Sequence, residues 1–241
     1  MTRTGRMLRC AAVSLAGALL TAAPPRATHA QILWTDWTSL QLGNVGSATG
    51  TIAAPGGPVG VSYSGQVYAT SQTACGSSYW LPAATYQSAT VPNAPPPCDM
   101  IALTGGPTFG TNTVTFSQAI VNPVMAILSL GQPSMVITYN FNQPFNILSF
   151  GVGSFGGPGT LSQLTPNVLT GVEGNGVIQF QGTFSSISWT VPTPETWHGF
   201  TVGVVGVASP TQVVPEPATV TLLGLGLVGL GTLARRRRPR G

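Results

Sequence analysis

Apolar and polar residues alternate at every second position in several stretches of this chain. Met135, Ile137, Tyr139 and Phe141 point one way while Val136, Thr138 and Asn140 point the other, which is the period of a strand with one buried face. Ile187, Trp189 and Val191 alternate in the same fashion with Ser186, Ser188 and Thr190, and Phe200, Val202 and Val204 make a last strand. Further strands are predicted at 32–39, 59–68, 113–116, 124–130, 145–152, 167–172 and 177–180. No segment of the body keeps apolar residues at helical spacing for three turns. Gly-Gly-Pro recurs at 56–58, 105–107 and 156–158, and Glu-Gly-Asn-Gly lies at 173–176; glycine and proline supply the backbone angles that turns need. The flanks of the three Gly-Gly-Pro sites do not match, so no repeat is implied. Many short strands with this punctuation predict an all-β body, a single antiparallel β-sandwich of jelly-roll-like kind.

Charge changes the picture through its distribution. Nine Lys plus Arg face five Asp plus Glu, yet every basic residue is terminal: Arg3, Arg6, Arg9 and Arg26 in front, Arg235 to Arg238 and Arg240 behind. Between Gln31 and Val214 there is no Lys or Arg, and Asp36, Asp99, Glu173 and Glu195 give that segment a formal charge of −4. Nucleic-acid binding requires a basic patch to neutralise phosphates, and the body has none. Its length suits one sizeable core and a single domain.

The two ends read as addresses. Residues 1–30 hold a basic start, an apolar stretch over 10–23 and small residues at Thr28 and Ala30. That layout predicts a signal peptide, passed through the Sec translocon and cut by signal peptidase after Ala30. The competing reading, a short N-terminal membrane anchor, has an apolar run that is short for a span. Export leaves Cys75 and Cys98 as a pair in an oxidising compartment, where two thiols become one disulfide. The bridge would stabilise the fold by about 3 kcal/mol on the chain-entropy model, and the Pro- and Ser-rich loop it closes shows little else in sequence to hold it. Two unpaired thiols are the alternative; a metal site lacks the further Cys or His it would need.

At the C-terminal end, residues 218–234 carry no charge and are followed at once by Arg235, Arg236, Arg237 and Arg238. This predicts a transmembrane helix over 218–234 stopped by a cluster of arginines (235–240) that stays cytoplasmic, with the body outside. Gly224, Gly226 and Gly229 match the spacing of a dinucleotide fingerprint. A preceding strand and a downstream acid for the ribose are both missing, so these are small residues in a membrane helix.

Pro215, Glu216 and Pro217, the hydrophobic stretch and the terminal arginines together resemble the tripartite PEP-CTERM sorting signal of Gram-negative bacteria. The resemblance implies recognition of Pro215-Glu216-Pro217 by an exosortase, an integral-membrane transpeptidase-like enzyme of organisms that make extracellular polysaccharide and biofilm. It implies an inner-membrane-anchored precursor with its body on the periplasmic side, then release to the cell surface or beyond. The chain divides accordingly into 1–30, 31–213 and 214–241. The two prolines lock φ and withhold donors, which keeps the motif extended and open to a processing enzyme.

Chemistry in the body is sparse. A glycosidase needs two neighbouring carboxylates, and the four acids are widely spaced in sequence, with Glu173 and Asp99 in turn-like surroundings where acids are usually solvated. A triad needs a base, and His198 is the only histidine left after export; it reads as a loop residue bonded to backbone. No Gly-x-Ser-x-Gly elbow is present in the body, and Glu195 with His198 is too few ligands for a metal. Sugar binding asks only for aromatic platforms and polar rims. Trp34, Trp37, Tyr79, Trp80, Tyr86 and Trp197 lie in strand ends or loops, and Tyr79, Trp80 and Trp197 are the candidates for it; the competing reading puts Trp34, Trp189 and also Trp37 in the core. The expectation is an exported, non-catalytic protein of structural or surface role that takes no cofactor. The alternatives are a carbohydrate-binding module for exopolysaccharide and a glycan-cleaving enzyme.

Overall fold

The computed structural model describes residues 31–205. The predicted signal peptide at 1–30, Pro215-Glu216-Pro217, the predicted transmembrane helix over 218–234 and the arginines lie outside the described residues. Within them the chain forms strands β1 (Ile32–Trp34), β2 (Asp36–Gln41), β3 (Gly43–Ile52), β4 (Val59–Val67), β5 (Ile101–Leu103), β6 (Asn112–Val121) and β7 (Val124–Leu130). The second half forms β8 (Ile137–Phe141), β9 (Asn146–Gly151), β10 (Thr160–Thr165), β11 (Val168–Val172), β12 (Gly174–Gln179), β13 (Thr183–Thr190) and β14 (His198–Val205). A single 3-10 turn covers Ala83–Tyr86. No helix among the described residues is long and apolar enough to cross a membrane.

The strands form two antiparallel sheets, as the alternation predicts. One runs β1-β14-β7-β12-β9, with β5 also paired to β14; the other runs β10-β11-β8-β13-β6-β4-β3-β2. The sheets face each other across one core. Ile137, Tyr139 and Phe141 of β8, Ile187 and Trp189 of β13, and Phe200, Val202 and Val204 of β14 all enter it. Met135 does not follow its predicted face: it is exposed, because the chain turns at Gln132–Met135 before β8 begins.

The predicted 32–39 strand is two strands in different sheets. At Thr35 the chain leaves β14, to which its N–H and hydroxyl both bond through the Val202 carbonyl, at 2.9 and 2.8 Å. Three strands were not legible in the alternation. β3 is rich in Gly, Ser and Thr, β5 is short, and β10 has mostly polar, exposed residues.

The outer face of the smaller sheet is covered as well. Val124, Ala126 and Leu128 of β7 pack into a second cluster with Trp80, Tyr86, Val91 and Met100, all contributed by the segment between β4 and β5. β7 is therefore buried at every position, which is why its apolar run is continuous rather than alternating. The segment between the cysteines thus has a core of its own, correcting the expectation that little besides the bridge holds it. The Cys75–Cys98 disulfide itself is present as predicted.

Asp99 anchors this covering layer. It is 4 % exposed, not solvated as its turn-like context suggests. Its Oδ1 accepts the Trp37 N–H at 2.9 Å and its carbonyl accepts the Trp80 indole N–H at 3.2 Å. Burial pushes its carboxyl from 3.8 up to about 6, against the Trp37 hydrogen bond and with a smaller push from Asp36. A raised acid favours the protonated folded state, so its stabilising contribution is full below pH 3.8 and is lost as pH rises through about 6. Asp99→Asn keeps the acceptor without the charge. The variant is expected to gain roughly 2 kcal/mol over wild type at pH 7 and to lose that advantage by pH 4. Urea unfolding midpoints across that range check it, and an advantage that does not change with pH would overturn it.

Candidate functional site

The site begins with a bulge between β7 and β12, where the register shifts between Gly174 and Gly176. Asn175 sits in it, buried, with its side chain spoken for on both ends. Oδ1 accepts the Ser129 N–H at 2.8 Å and the Tyr86 hydroxyl at 3.2 Å, and Nδ2 donates to the Glu173 carbonyl at 2.6 Å. Ser129 and Glu173 adopt φ of 52° and 49°, the left-handed region that non-glycine residues seldom enter. Holding them there costs energy that the Asn175 bonds offset. The bulge also reverses the facing of β7, so that Leu128 packs outward and Leu130 inward.

One product of this distortion is an aimed carboxylate. The Ser129 hydroxyl donates to Glu173 Oε2 at 2.9 Å, and Gly157 backs the same side chain so closely that a Cβ there would overlap it. A second carboxylate arrives from the loop before β14. Glu195 Oε1 accepts the Gly131 N–H at 3.0 Å and meets His198 Nδ1 at 2.6 Å. Gly131 has φ of 87°, and a Cβ on it would run into the Gly171 carbonyl, so the donor that holds Glu195 requires glycine. The Glu195 side chain is 1 % exposed, and its Oε2 has no hydrogen-bond partner.

His198 departs from its expectation. It is the first residue of β14, in register with Leu103, and is fully buried. Its ring lies on Tyr139 at 5.2 Å, and it bonds a carboxylate rather than backbone. The Tyr139 hydroxyl is held well above its ordinary range by burial first and by the charge of Glu195 second.

Glu173 and Glu195, far apart in sequence, line one cavity of about 250 Å3 with Ser129, Gln132, Thr196, Phe155 and Trp197. Gln132 Nε2 donates to the Thr196 hydroxyl at 2.9 Å along its rim. Trp197 and Phe155 meet edge to face at 5.3 Å and 88°, and Tyr79 leans on both, at 5.5 and 6.0 Å. Tyr79 and Trp197 are half-buried, and Phe155 is 51 % exposed.

Two of the three aromatics singled out in the sequence therefore come together beside the acids, and the third does not. Trp80 is 2 % exposed, stacked edge to face on Tyr86 at 5.2 Å under the covering segment. It is a core residue and cannot serve as a platform. Trp34, Trp37 and Trp189 are buried, which decides for the competing reading that they belong to the core. Sequence reading passed over Ser129, Asn175 and Phe155. A bulky aromatic inside Gly-Ser-Phe-Gly-Gly, where a turn needs none, was the available signal for Phe155; nothing local marked the other two. Among the described residues no group of three or more His, Cys, Asp or Glu is placed to hold a metal.

Fold and pocket define an all-β sandwich domain with a small acidic cavity under an aromatic rim. The chain carries in addition a sorting signal: residues 213–238 match the family model of the PEP-CTERM protein-sorting motif. The motif marks the chain for exosortase-dependent sorting and export to the cell surface from a membrane-anchored precursor. Comparisons with curated proteins and with solved structures find no match.

Proposed function

We propose that this is a cell-envelope or extracellular-matrix protein whose body is a non-catalytic surface domain that binds extracellular polysaccharide in the Glu173–Glu195 cavity. The observation that carries it is the convergence of Phe155 and Trp197, with Tyr79 packed against both, on a cavity that also presents Glu173. Aromatic faces pack against the C–H faces of sugar rings, and Glu173, Gln132 and Thr196 offer hydrogen-bond partners for hydroxyls. A cavity of about 250 Å3 suits one ring of a chain rather than a long ligand. The framework supports the same conclusion. In the order β5-β14-β7-β12 over β6-β13-β8-β11, the eight central strands follow the two Greek keys of a jelly roll, an architecture that lectin domains use.

Co-sedimentation of the purified full chain with exopolysaccharide from its host tests this. Saturable pelleting is expected, and Trp197→Ala should weaken it at least about tenfold, a loss of about 1.4 kcal/mol. Absence of pelleting would leave a structural coat role in its place. Delivery has its own test, the intact mass of the protein recovered from cells. Chains shortened near Pro215 to Pro217 are expected, without Arg235 to Arg238. Chains ending at Gly241 as the main species would remove cleavage from the proposal.

Glycan cleavage is the second reading, favoured by two glutamates in one cavity. Cleavage needs an acid and a base or nucleophile placed around the scissile bond. Here both carboxylates are held from one short segment, Ser129 and Gly131, and Glu195 has one oxygen committed to His198. Release of reducing ends that disappears in Glu173→Gln would favour the enzyme.

A further inference from the structure

We infer that the cavity selects a cationic glycan: a hexosamine residue with a free ammonium group, its charge directed at Glu173 in the field of the buried Glu195 and its ring against Trp197. The inference rests on the cavity being a glycan site and names the class of sugar it takes. Charge is the first reason. Residues 31–205 contain four acids and no Lys or Arg, and His198 is the only histidine among them, already facing Glu195 through Nδ1. Even with that imidazole protonated, two carboxylates in one cavity leave it net negative. A uronate would be repelled and a neutral sugar would leave the charge uncompensated.

The second reason is the acceptor on offer. Glu173 lines the cavity with Oε2 fixed by the Ser129 hydroxyl, while the Glu195 carboxylate lies buried behind the wall, 1 % exposed, and adds charge without contact. An ammonium group brings three donors together with the matching charge, where a hydroxyl brings one donor and no charge. The third reason is the wall. Trp197 and Phe155 form a corner at 88°, and ring faces attract ammonium groups as well as sugar C–H faces. A bare divalent cation fits less well, because calcium requires six to eight oxygens and no cluster of three or more ligating side chains exists among the described residues.

Isothermal titration of the purified full chain with three hexasaccharides tests this: β-1,4-glucosamine, its N-acetylated counterpart, and an oligouronate. The glucosamine hexamer is expected to bind about tenfold or more tightly than the N-acetylated one, the margin expected of a charge-assisted over a neutral hydrogen bond. Glu173→Gln, which keeps the side-chain shape, should erase that preference, and Trp197→Ala should weaken binding of the glucosamine hexamer. Equal binding of the amine and the acetamide would keep the glycan site and overturn the ammonium. No binding of any hexamer would remove both. Glucosamine binding that survives both substitutions would show diffuse attraction to the acidic surface and overturn the cavity assignment. Binding that requires calcium and is lost in EDTA, or tighter binding of the uronate, would overturn the inference as well.

Discussion

Replacing Trp80 by alanine is expected to lower the unfolding free energy by about 3–5 kcal/mol, the range for emptying a buried tryptophan site. The indole fills the layer that covers β7, stacks on Tyr86 and donates to the Asp99 carbonyl. Its loss opens a void in the core that the segment shares with β7 through Tyr86, Val91 and Met100. Urea unfolding at constant slope measures the change. Where the variant is still folded, glycan binding should persist, since Trp80 does not line the cavity. A Trp80→Ala protein of wild-type stability that no longer binds would reverse the assignment of core and platform and transfer the site to the covering segment.

Asn175→Ala should cost about 3 kcal/mol and empty the site at the same time. Three hydrogen bonds are lost, and the Ser129 N–H and Tyr86 hydroxyl are left buried without their acceptor, each unmet donor costing about 1–3 kcal/mol. The sum is held near the lower end because the Tyr86 bond, at 3.2 Å, is the longest of the three. Ser129 and Glu173 occupy left-handed conformations that these bonds keep in place, so their release should also misaim the Glu173 carboxylate. Stability and polysaccharide binding are predicted to fall together. A loss below about 1 kcal/mol with binding intact would show that the bulge holds its shape without the Asn175 side chain.

Legibility along the chain followed the range of the interactions. The alternation at Ile137, Tyr139 and Phe141, at Ile187 and Trp189, and at Phe200, Val202 and Val204 placed each residue on the core side correctly, because a strand's two faces are a local property of its backbone. The same rule failed at β3 and β10. There glycine and polar residues form strands held by neighbouring strands rather than by an apolar face. It could not foresee that β7 is covered on both sides, since the cover comes from a segment with no period of its own.

The candidate site was half legible. Tyr79 and Trp197 stood out as aromatics in loops, but so did Trp80, and only the packing of the segment between β4 and β5 separates the displayed rings from the buried one. Glu173 looked like a solvated turn acid and His198 like a loop residue. Both assignments changed because of contacts with residues 44 and 3 positions away, Ser129 and Glu195, one of which lies across a β-bulge. Asn175, the residue that organises the cavity, was hidden within an ordinary-looking Glu-Gly-Asn-Gly turn.

By itself, then, the sequence determined the β class of the body, the pairing of its last two cysteines and the sorting signal at 213–238. Each of these is written in short-range pattern: a period of two, a count of thiols, and a linear motif. Tertiary structure alone decided which aromatics face solvent and which acids share a cavity. Those outcomes depend on sheet order, on one layer of chain folding over another and on a single bulge that brings β7, β12 and the loop before β14 to the same place. Such long-range juxtaposition leaves no periodic trace in the residues that take part in it.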